Sequence, residues 1–380
     1  MRKGWEYKKL GEVCDITMGQ SPNGNSINDF NGVEFHQGKT YFGERFLDIS
    51  PLYSNAPTKL AEAHSVLLCV RAPVGYPNIT DRKICIGRGL CALYAKKEIH
   101  NTFLYYSLLG KQSYFEKNAT GSTFKAISSK TVSNTTLSLP PLSTQLSIVS
   151  ELDKINELIR LKKEQLKDFD NLAQSLFYEI FGDPVENERG WVIKKLGDFG
   201  EVKTGNTPSR SNDNFYNEKF IEWIKTDNIR TDQMNPTTAA EYLSKEGAEC
   251  GRIVGKGSIL VACIAGSLSS IGKCCITTKN VAFNQQINAI TPYGDFCNSI
   301  YLYELIRNSS KYIQQNATTG MKHILSKSIF EKIPVPLPPL PLQHLFAQRI
   351  EQIEHQKAEV QKSITDLETL LASRMQYWFE

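Results

Sequence analysis

The sequence lacks the motifs that would identify a membrane protein, a metal protein or an enzyme. It has no run of about 18 apolar residues, so it predicts no membrane span. Its nine cysteines contain no Cys-x-x-Cys pair and its six histidines no His-Glu-x-x-His, so no metal site is expected. It also has no Gly-x-x-x-x-Gly-Lys-Ser/Thr phosphate loop and no Asp/Asn-Pro-Pro-Tyr/Phe motif of an amino-methyltransferase. These absences favour a chain that binds partners and performs no bond-making chemistry itself.

The cysteines and the first residues indicate a reducing compartment. The number of cysteines is odd, and most of them stand among apolar neighbours, as in LLCVR and LVACIA. We therefore expect small buried side chains rather than disulfides. The charged segment Met1–Lys9 has no apolar stretch behind it, so it does not resemble a secretory signal and a cytoplasmic protein is expected.

The net charge of +4 is small, but positive charge is concentrated in two long segments. Residues 1–142 contain 17 Lys and Arg against 11 Asp and Glu, and residues 184–342 contain 18 against 15. The two short segments, 143–183 and 343–380, have an acidic excess. A basic excess on a folded domain permits contacts with phosphates, although it does not establish them.

An internal repeat organises the chain. GWEYKKLGEVCDITMGQSP at 4–22 aligns with GWVIKKLGDFGEVKTGNTP at 190–208, with an offset of 186 residues. Further on, Asn-Ala-Thr and Pro-Pro-Leu-x-x-Gln recur with an offset of 198 residues, the latter at 140–145 and 338–343. Identity at a nearly constant offset over so many positions indicates a tandem duplication, with a net insertion of about 12 residues in the second copy.

Each copy begins with a predicted globular part. Runs such as SVLLCV, KICIG, SILVACI and NAITPY, separated by Gly, Asn and Pro, predict short strands. NTFLYYSLLGKQSYF and NSIYLYELIRNSSKYI predict amphipathic helices. The segments LSLPPLSTQ and IPVPLPPLPLQ predict an extended boundary, because proline lacks the amide hydrogen that a helix interior needs. The expected fold class is α/β (α+β), duplicated in tandem.

A long helix is predicted after each Pro-rich segment. Residues that are apolar except for Lys162, Lys357 and Arg374 recur there in alternating steps of four and three over about five heptads, the spacing of a coiled coil. Because both copies have this pattern, we expect the two helices to pair antiparallel and to separate the globular parts. The alternative is that each helix packs only on its own domain. The expected domains are globular at 1–142 and 184–342 and helical at 143–183 and 343–380. The expected helix-pairing core consists of Leu152, Ile155, Ile159, Leu166, Phe169, Ile350, Ile353, Val360, Ile364 and Leu367.

With these features, the sequence resembles the DNA specificity subunits of type I restriction–modification systems. The resemblance spans nearly the whole chain and implies two target recognition domains, each of which binds one half of a bipartite DNA site, separated by two long helices. The stretches that carry it are KKLGEV, KKLGDF, ICIGRGLCAL (84–93), ATGSTFKAISSKT (119–131), ILVACIAGSLSSIGKCCI (259–276), FNQQINAI (283–290), LPPLSTQ and LPPLPLQ.

The resemblance also implies partners and cofactors. The chain would be the non-catalytic subunit of a DNA adenine methyltransferase or type I restriction endonuclease complex. Its partners would be double-stranded DNA, two copies of a methyltransferase subunit held by the helices, and restriction and translocase subunits. No cofactor is expected in the chain itself. S-adenosylmethionine would belong to the methyltransferase partner, and ATP and Mg to the restriction partner.

Side chains that can donate to phosphates or pair with base edges are the candidates for DNA contact. The loop 121–125 combines hydroxyls, an aromatic ring and a cation, and the resemblance implies that it lies near DNA; the loop 319–323 matches it in the second copy. Each candidate could instead be a solvated surface residue. The DNA-binding candidates are Lys39, Tyr41, Arg71, Tyr76, Arg82, Arg88, Ser122, Thr123, Lys125, Lys203, Arg210, Lys225, Asn228, Arg230, Lys273, Gln285, Gln286, Lys322 and His323.

The two copies differ most where a recognition surface would lie. Their starts, Pro-rich segments and helices agree, whereas 23–60 and 209–250 do not. Two similar domains with different targets would show this pattern, so an asymmetric bipartite site is expected. Two other functions stay open from sequence. The same protein could serve a combined restriction–methylation enzyme, or it could be a coiled-coil scaffold whose globular parts bind proteins.

Overall fold

The computed structural model describes residues 4–121, 125–318 and 320–379. The chain forms two compact units, Met1–Lys163 with Lys362–Glu380 (unit 1) and Glu164–Gln361 (unit 2). Two helices of 40 residues, Leu142–Phe181 and Leu340–Phe379, contribute residues to both units. None of the described helices combines the length and the apolar character that crossing a membrane requires.

The globular part of unit 1 is built from two packed sheets and a two-stranded ribbon. Its strands are β1 (Glu6–Lys9), β2 (Cys14–Met18), β3 (Ile27–Asn28), β4 (Val33–His36), β5 (Tyr53–Ser54), β6 (Leu60–Ala61), β7 (Val66–Cys69), β8 (Pro77–Ile79), β9 (Ile84–Ile86), β10 (Leu90–Ala95) and β11 (Thr136–Leu139). The strand orders are β2-β10-β7-β8, β3-β5-β4-β9-β6 and, for the ribbon, β1-β11. Its helices are α1 (Leu10–Val13), α2 (Asn101–Leu109), α3 (Gln112–Lys117), α4 (Ser129–Asn134) and the long helix α5 (Leu142–Phe181).

Unit 2 repeats this plan. Its strands are β12 (Val192–Lys195), β13 (Gly200–Thr204), β14 (Ile221–Ile224), β15 (Tyr242–Leu243), β16 (Ile253–Val254), β17 (Ile259–Ala262), β18 (Ile264–Ala265), β19 (Cys274–Ile276), β20 (Val281–Phe283), β21 (Ile287–Pro292), β22 (His323–Ile324) and β23 (Pro334–Leu337). The orders β13-β21-β17-β19 and β12-β23 match those of unit 1. The order β15-β14-β20-β16 matches β5-β4-β9-β6, without a counterpart of β3 among the described residues, and the pair β18-β22 is added. Its helices are α6 (Lys245–Cys250), α7 (Ser299–Asn308), α8 (Ser310–Gln315), α9 (Lys327–Phe330) and the long helix α10 (Leu340–Phe379).

The apolar runs of the sequence form strands that are buried on both faces. In β7, all four residues are buried. Val66 and Leu68 belong to the core that packs on the helices, whereas Leu67 and Cys69 face the core between the two sheets. Successive residues of a strand point to opposite faces, so a central strand of such a sandwich needs an uninterrupted apolar run. The predicted strands SVLLCV, KICIG, SILVACI and NAITPY are therefore confirmed as β7, β9, β17 and β21.

The long helices run antiparallel to each other within unit 1. The Glu151 carboxylate of α5 accepts hydrogen bonds from Arg374 and from the Trp378 indole, 3.1 Å away, on α10. Further along α5, Lys163 forms an ion pair of 3.1 Å with Glu368. As residue numbers rise along α5, the numbers of the residues they contact on α10 fall, which is the order of an antiparallel pair.

The same pairing recurs within unit 2. Lys357 on α10 donates to Asp170 on α5 over 3.0 Å, and the rings of Phe177 and Phe346 have centroids 5.8 Å apart. The predicted antiparallel helix pair is thus confirmed within each unit. The helices also pack on the globular parts: Leu152 lies in the core of unit 1 and Ile350 in that of unit 2. Of the ten residues expected in the helix-pairing core, none is exposed.

A buried glutamine joins the start of each long helix to the globular part. The Gln145 side chain donates to Pro140 O over 2.9 Å and accepts from the His100 amide over 2.9 Å. Gln343 makes the matching bonds to Pro338 O and from the Asn298 amide, also at 2.9 Å. Both side chains are fully buried, and a buried amide needs such partners. This geometry explains why the repeat retains Pro-Pro-Leu-x-x-Gln.

Two other repeat positions have direct structural roles. A Cβ on Gly19 would lie 2.1 Å from Gly87 O, and one on Gly205 would lie 2.1 Å from Asn284 O. Only glycine permits so close a backbone approach. The repeated tryptophans contact helix ends: the Trp191 indole donates to Phe181 O over 2.8 Å, and Trp5 stacks on Trp378.

The predicted amphipathic helices need a correction. Each of the two segments forms two consecutive helices, α2 with α3 and α7 with α8. Moreover, α2 is not amphipathic, because all six residues from Phe103 to Leu108 are buried. Helix α2 lies in the core of unit 1. A helix that is surrounded by core residues needs apolar side chains on all of its faces.

Eight of the nine cysteines are buried and free, as expected, whereas Cys250 is exposed. Burial raises the pKa of the Cys69 and Cys91 thiols to about 12, so both stay protonated at neutral pH. Among the described residues, no group of three or more His, Cys, Asp or Glu could hold a metal ion.

Candidate DNA interface

Matching backbone hydrogen bonds build the same end of the sandwich in both units. In unit 1, the Val70 amide donates to Gly89 O over 2.9 Å, and the Ile127 amide donates to Val70 O over 2.9 Å. The corresponding bonds of unit 2 run from Cys263 to Gln286 O and from Leu325 to Cys263 O, both at 2.8 Å. We call this end of each unit the loop end. It consists of 37–41, 71–76, 87–89, 120–121 and 125–127 in unit 1, and of 225–229, 264–273, 284–286, 318 and 320–325 in unit 2.

Two further pairs of bonds align the loop ends residue by residue. The Gly87 amide donates to His36 O over 2.7 Å, as the Asn284 amide does to Ile224 O over 3.0 Å. These bonds make Arg88 the structural equivalent of Gln285. Likewise, the Gly75 amide donates to Cys69 O and the Gly272 amide to Ala262 O, and both glycines have positive φ angles. Tyr76 and Lys273, the residues that follow, are therefore equivalent.

The described residues that flank the predicted DNA loops pair in the same way in both units. Thr120 and Ala126 exchange backbone hydrogen bonds of 2.9 Å, and Thr318 and Ile324 exchange bonds of 2.9 and 3.2 Å. Ala126 also pairs with Arg71, and β22 pairs with β18. Ser122 and Thr123, with Phe124 and Thr319, lie outside the described residues.

Four predicted cations lie together at the loop end of unit 1. Arg71, Arg88 and Lys125 are exposed, and no hydrogen bond or ion pair joins their side chains to another residue that the structure describes. Lys39 is exposed too, and its ammonium lies 3.7 Å from the centroid of the Tyr76 ring. Unpaired cations with a stacked tyrosine are suited to phosphate and base contacts. Tyr41 is half-buried and packs edge-on against His36.

Arg82 has a different environment from the one expected. Its Nε and Nη2 donate to the two Glu34 oxygens over 2.6 and 2.7 Å. The remaining N–H groups donate to Leu47 O, Asp48 O and the Asp81 carboxylate. A guanidinium has five N–H donors, and here all five are used within the protein. Arg82 is thus a structural residue with no donor left for DNA.

Glu34 is the acceptor at the centre of this network. Its carboxylate also accepts from the Ser50 amide over 2.7 Å and contacts His36 Nε2 at 2.8 Å. Burial alone would raise the pKa of Glu34, but the bonds from Arg82, Ser50 and His36 lower it to about 2. Burial in turn lowers the pKa of His36, so the imidazole is neutral at pH 7.

The loop end of unit 2 contains a cavity of about 400 Å³. Of the predicted residues, Lys273 and Gln286 line it, together with Asp227, Thr226 and Ser270. The Lys273 side chain has no hydrogen bond or ion pair with another described residue, whereas Gln286 accepts from Asn284 over 3.1 Å. Lys322 and His323 lie in the adjoining hairpin, where Lys322 is exposed and His323 half-buried.

Arg210 and Lys225 are brought together by one carboxylate. Both form ion pairs with Glu241, and the Arg210 guanidinium also lies 4.8 Å from the Trp223 ring. Hydrogen bonds from Lys225 and Arg210 lower the pKa of Glu241 against the opposing effect of its burial. The single bond from Arg210 Nη2 to Glu241 uses one of five donors, so Arg210 can still contact a phosphate.

The other predicted residues of unit 2 are engaged within the chain. The Asn228 side chain accepts from the Lys225 amide and donates to Thr237, which closes a local loop. Arg230 forms a two-bond ion pair with Asp232, and Lys203 pairs with Glu201 on strand β13. Gln285 is exposed, and its side-chain oxygen accepts from the Thr207 hydroxyl.

One residue of the loop end was missed from sequence. Asp227 is exposed and lines the cavity, but a carboxylate is neither a donor nor an amide, the residue types from which DNA contacts are predicted. It is the third residue after β14, as Lys39 is the third residue after the equivalent strand β4. Alignment of the two copies in this variable region would have identified it, but the copies share too few residues there.

Comparison with known proteins agrees with this architecture. The family model described as "Type I restriction modification DNA specificity domain" matches residues 2–168 and 188–369. A protein of Methanocaldococcus jannaschii, provisionally named the MjaX type I restriction enzyme specificity subunit, is 37% identical over 176 residues. That alignment covers 45% of this chain and 41% of the relative. The HindI type I restriction enzyme specificity subunit of Haemophilus influenzae is 31% identical over 194 residues. That alignment covers 49% of this chain and 41% of the length of the relative.

A solved structure extends the likeness over the full length. The chain spans about two fifths of the two relatives named above. It aligns over 100% of its length with 98% of a chain from a study of "complex assembly" and "conformational transition of the type I R-M system", with a TM-score of 0.66. At 19% identity this match shows the fold. The family model covers most of both copies of the repeat, and the chain belongs to the family of type I restriction modification DNA specificity domains, of which it contains two.

Proposed function

We propose that this chain is the DNA-recognition subunit of a type I restriction–modification complex, in which each unit binds one half of an asymmetric bipartite site. The observation that supports this most is the comparison of the two loop ends. Their backbones share the same hydrogen bonds, yet equivalent positions hold Arg88 and Gln285, or Tyr76 and Lys273. A shared framework with different donors and acceptors is what two different half-sites require.

The bond-making steps of the complex belong to its other subunits. Methyl transfer to adenine would be performed by two copies of a methyltransferase subunit bound to this chain, with S-adenosylmethionine as their cofactor. Restriction and translocation would be performed by further subunits that use ATP and Mg. This chain contributes the choice of sequence, through hydrogen bonds to base edges and contacts to phosphates.

A domain exchange tests the proposal. Residues 1–142 are replaced by the corresponding segment of a relative with a different target, and the complex with its methyltransferase subunits is expressed in cells. We expect methylome sequencing to show a motif that changes in one half and keeps the other. The matched control replaces 184–342 instead and should change the opposite half. A motif that is unchanged by either exchange would contradict the proposal.

A further inference from the structure

We infer that Asp227 determines specificity in unit 2 by accepting a hydrogen bond from the exocyclic amino group of an adenine or cytosine in the half-site. This inference rests on the proposed function. Asp227 occupies the position that Lys39 holds in unit 1, the third residue after the parallel strand of the second sheet. The equivalent surface thus presents an acceptor in one unit and a donor in the other.

The surroundings of Asp227 leave its carboxylate available. The residue is exposed, and neither a hydrogen bond nor an ion pair joins its side chain to any other residue that the structure describes. Its neighbours Thr226 and Asn228 hold the backbone in a short 3-10 turn, which the Asn228 side chain closes through its bond from the Lys225 amide. The turn fixes the backbone of Asp227 beside the cavity, and its carboxylate remains available as an acceptor.

The cavity beside Asp227 supplies complementary groups. Lys273 and Gln286 line the same cavity of about 400 Å³, and Lys273 does not form an ion pair with Asp227. Had the carboxylate served only to neutralise the lysine, the two would be expected within 4 Å of each other. A donor and an acceptor that stand apart on one concave surface can instead contact different groups of a base pair.

Electrostatics explain why a carboxylate here selects particular bases. Phosphates repel a carboxylate, so Asp227 does not contribute to general affinity for DNA. In the major groove, only adenine N6 and cytosine N4 donate hydrogen bonds, whereas guanine and thymine present acceptors at these positions. An aspartate therefore favours adenine or cytosine and disfavours guanine or thymine through repulsion between acceptors.

Substituting Asp227→Ala tests the inference, because the residue is exposed and the change removes the acceptor without adding a donor. Guanine and thymine are then no longer repelled, so discrimination at one base pair should fall about tenfold. The chain is assembled with its methyltransferase subunits and presented with duplexes that carry each of the four base pairs at every position of the unit 2 half-site. We expect one position to become degenerate, while affinity for a random duplex stays the same or rises.

The matched control is Asp295→Ala, at an exposed aspartate beyond the other end of β21 from Gln286. It removes the same charge from the same unit and should leave the motif unchanged. An unchanged motif in the Asp227→Ala complex, alongside a normal bipartite motif in the wild type, would overturn the inference alone. Failure of the proposed function would look different, because the wild-type complex would then show no bipartite motif at all.

Discussion

Replacing Arg71, Arg88 and Lys125 together by alanine is expected to weaken binding to every duplex, cognate or random, by about 100- to 1,000-fold at physiological salt. A net gain of about 1.5 kcal/mol for each charge-assisted bond to a phosphate corresponds to about tenfold per cation. These three side chains are exposed at one loop end and have no ion-pair partner among the described residues, so their charge is available to DNA. Their loss should therefore affect binding and leave folding intact.

The salt dependence separates this effect from a change of specificity. Each phosphate contact releases condensed counterions, and the slope of log K against log salt changes by about 0.9 per contact. The triple variant should have a slope shallower by about 2.7, measured by fluorescence anisotropy of the assembled complex with labelled duplexes between 50 and 300 mM salt. Loss of Arg71 and Lys125 should leave the ratio of cognate to random affinity unchanged, and any fall in that ratio measures the contribution of Arg88 to base recognition.

A matched triple variant controls for net charge. Lys9, Lys97 and Lys154 are also exposed, but Lys97 follows β10 at the end opposite to Arg88, Lys9 lies in the β1–β11 ribbon and Lys154 lies on α5. Substituting these three by alanine removes the same charge and should leave the slope within about 0.5 of the wild type. If both triple variants flatten the slope equally, the loop end of unit 1 is not the phosphate-binding surface.

The sequence predicts the framework of this protein well, because the framework is encoded by repeated local signals. The repeat keeps two kinds of residue at a nearly constant offset. The glycines Gly19 and Gly205 permit a close backbone approach, and the buried side chains of Gln145 and Gln343 make matching hydrogen bonds. The heptads likewise predict the helix pair, because an apolar stripe 40 residues long must be covered.

The candidate site is predictable only in part. Residue type identifies donors, but it cannot tell a free cation from one whose donors are already used. Arg71 and Arg82 are alike in sequence, yet Arg71 is unpaired among the described residues and Arg82 has five internal bonds. The partner of Arg82 is Glu34, which is 48 residues distant in the chain, and only the parallel pairing of β4 with β9 brings their segments together.

Substituting Arg82→Ala is expected to destabilise unit 1 by about 3–5 kcal/mol, because it leaves the Glu34 carboxylate buried without its cation. The Glu34 side chain is only 10% exposed, so most of its surface lies against protein, and the guanidinium is its only cationic partner among the described ion pairs because His36 is neutral. Arg230→Ala is the matched control, since Arg230 forms the same two-bond pair with Asp232, but both partners are more than half exposed. The control should unfold at nearly the wild-type denaturant concentration. Equal destabilisation by the two variants would contradict the structural role of Arg82.

The stability that the Glu34 carboxylate contributes should depend on pH. In the folded chain the pKa of Glu34 is about 2, below its ordinary value of 4.5, so its stabilisation is present above pH 4.5 and is lost as pH falls towards 2. Without Arg82 the largest bond that lowers this pKa is gone and the opposing effect of burial remains, so the pKa of Glu34 rises from about 2 and less stability is lost on acidification. The stability deficit of Arg82→Ala should therefore be largest near pH 7 and shrink below pH 4.5, as measured by urea unfolding across this range.

The double variant Glu34→Gln with Arg82→Met removes both charges and keeps an acceptor for the Ser50 amide. It should recover most of the lost stability and should not show this pH dependence.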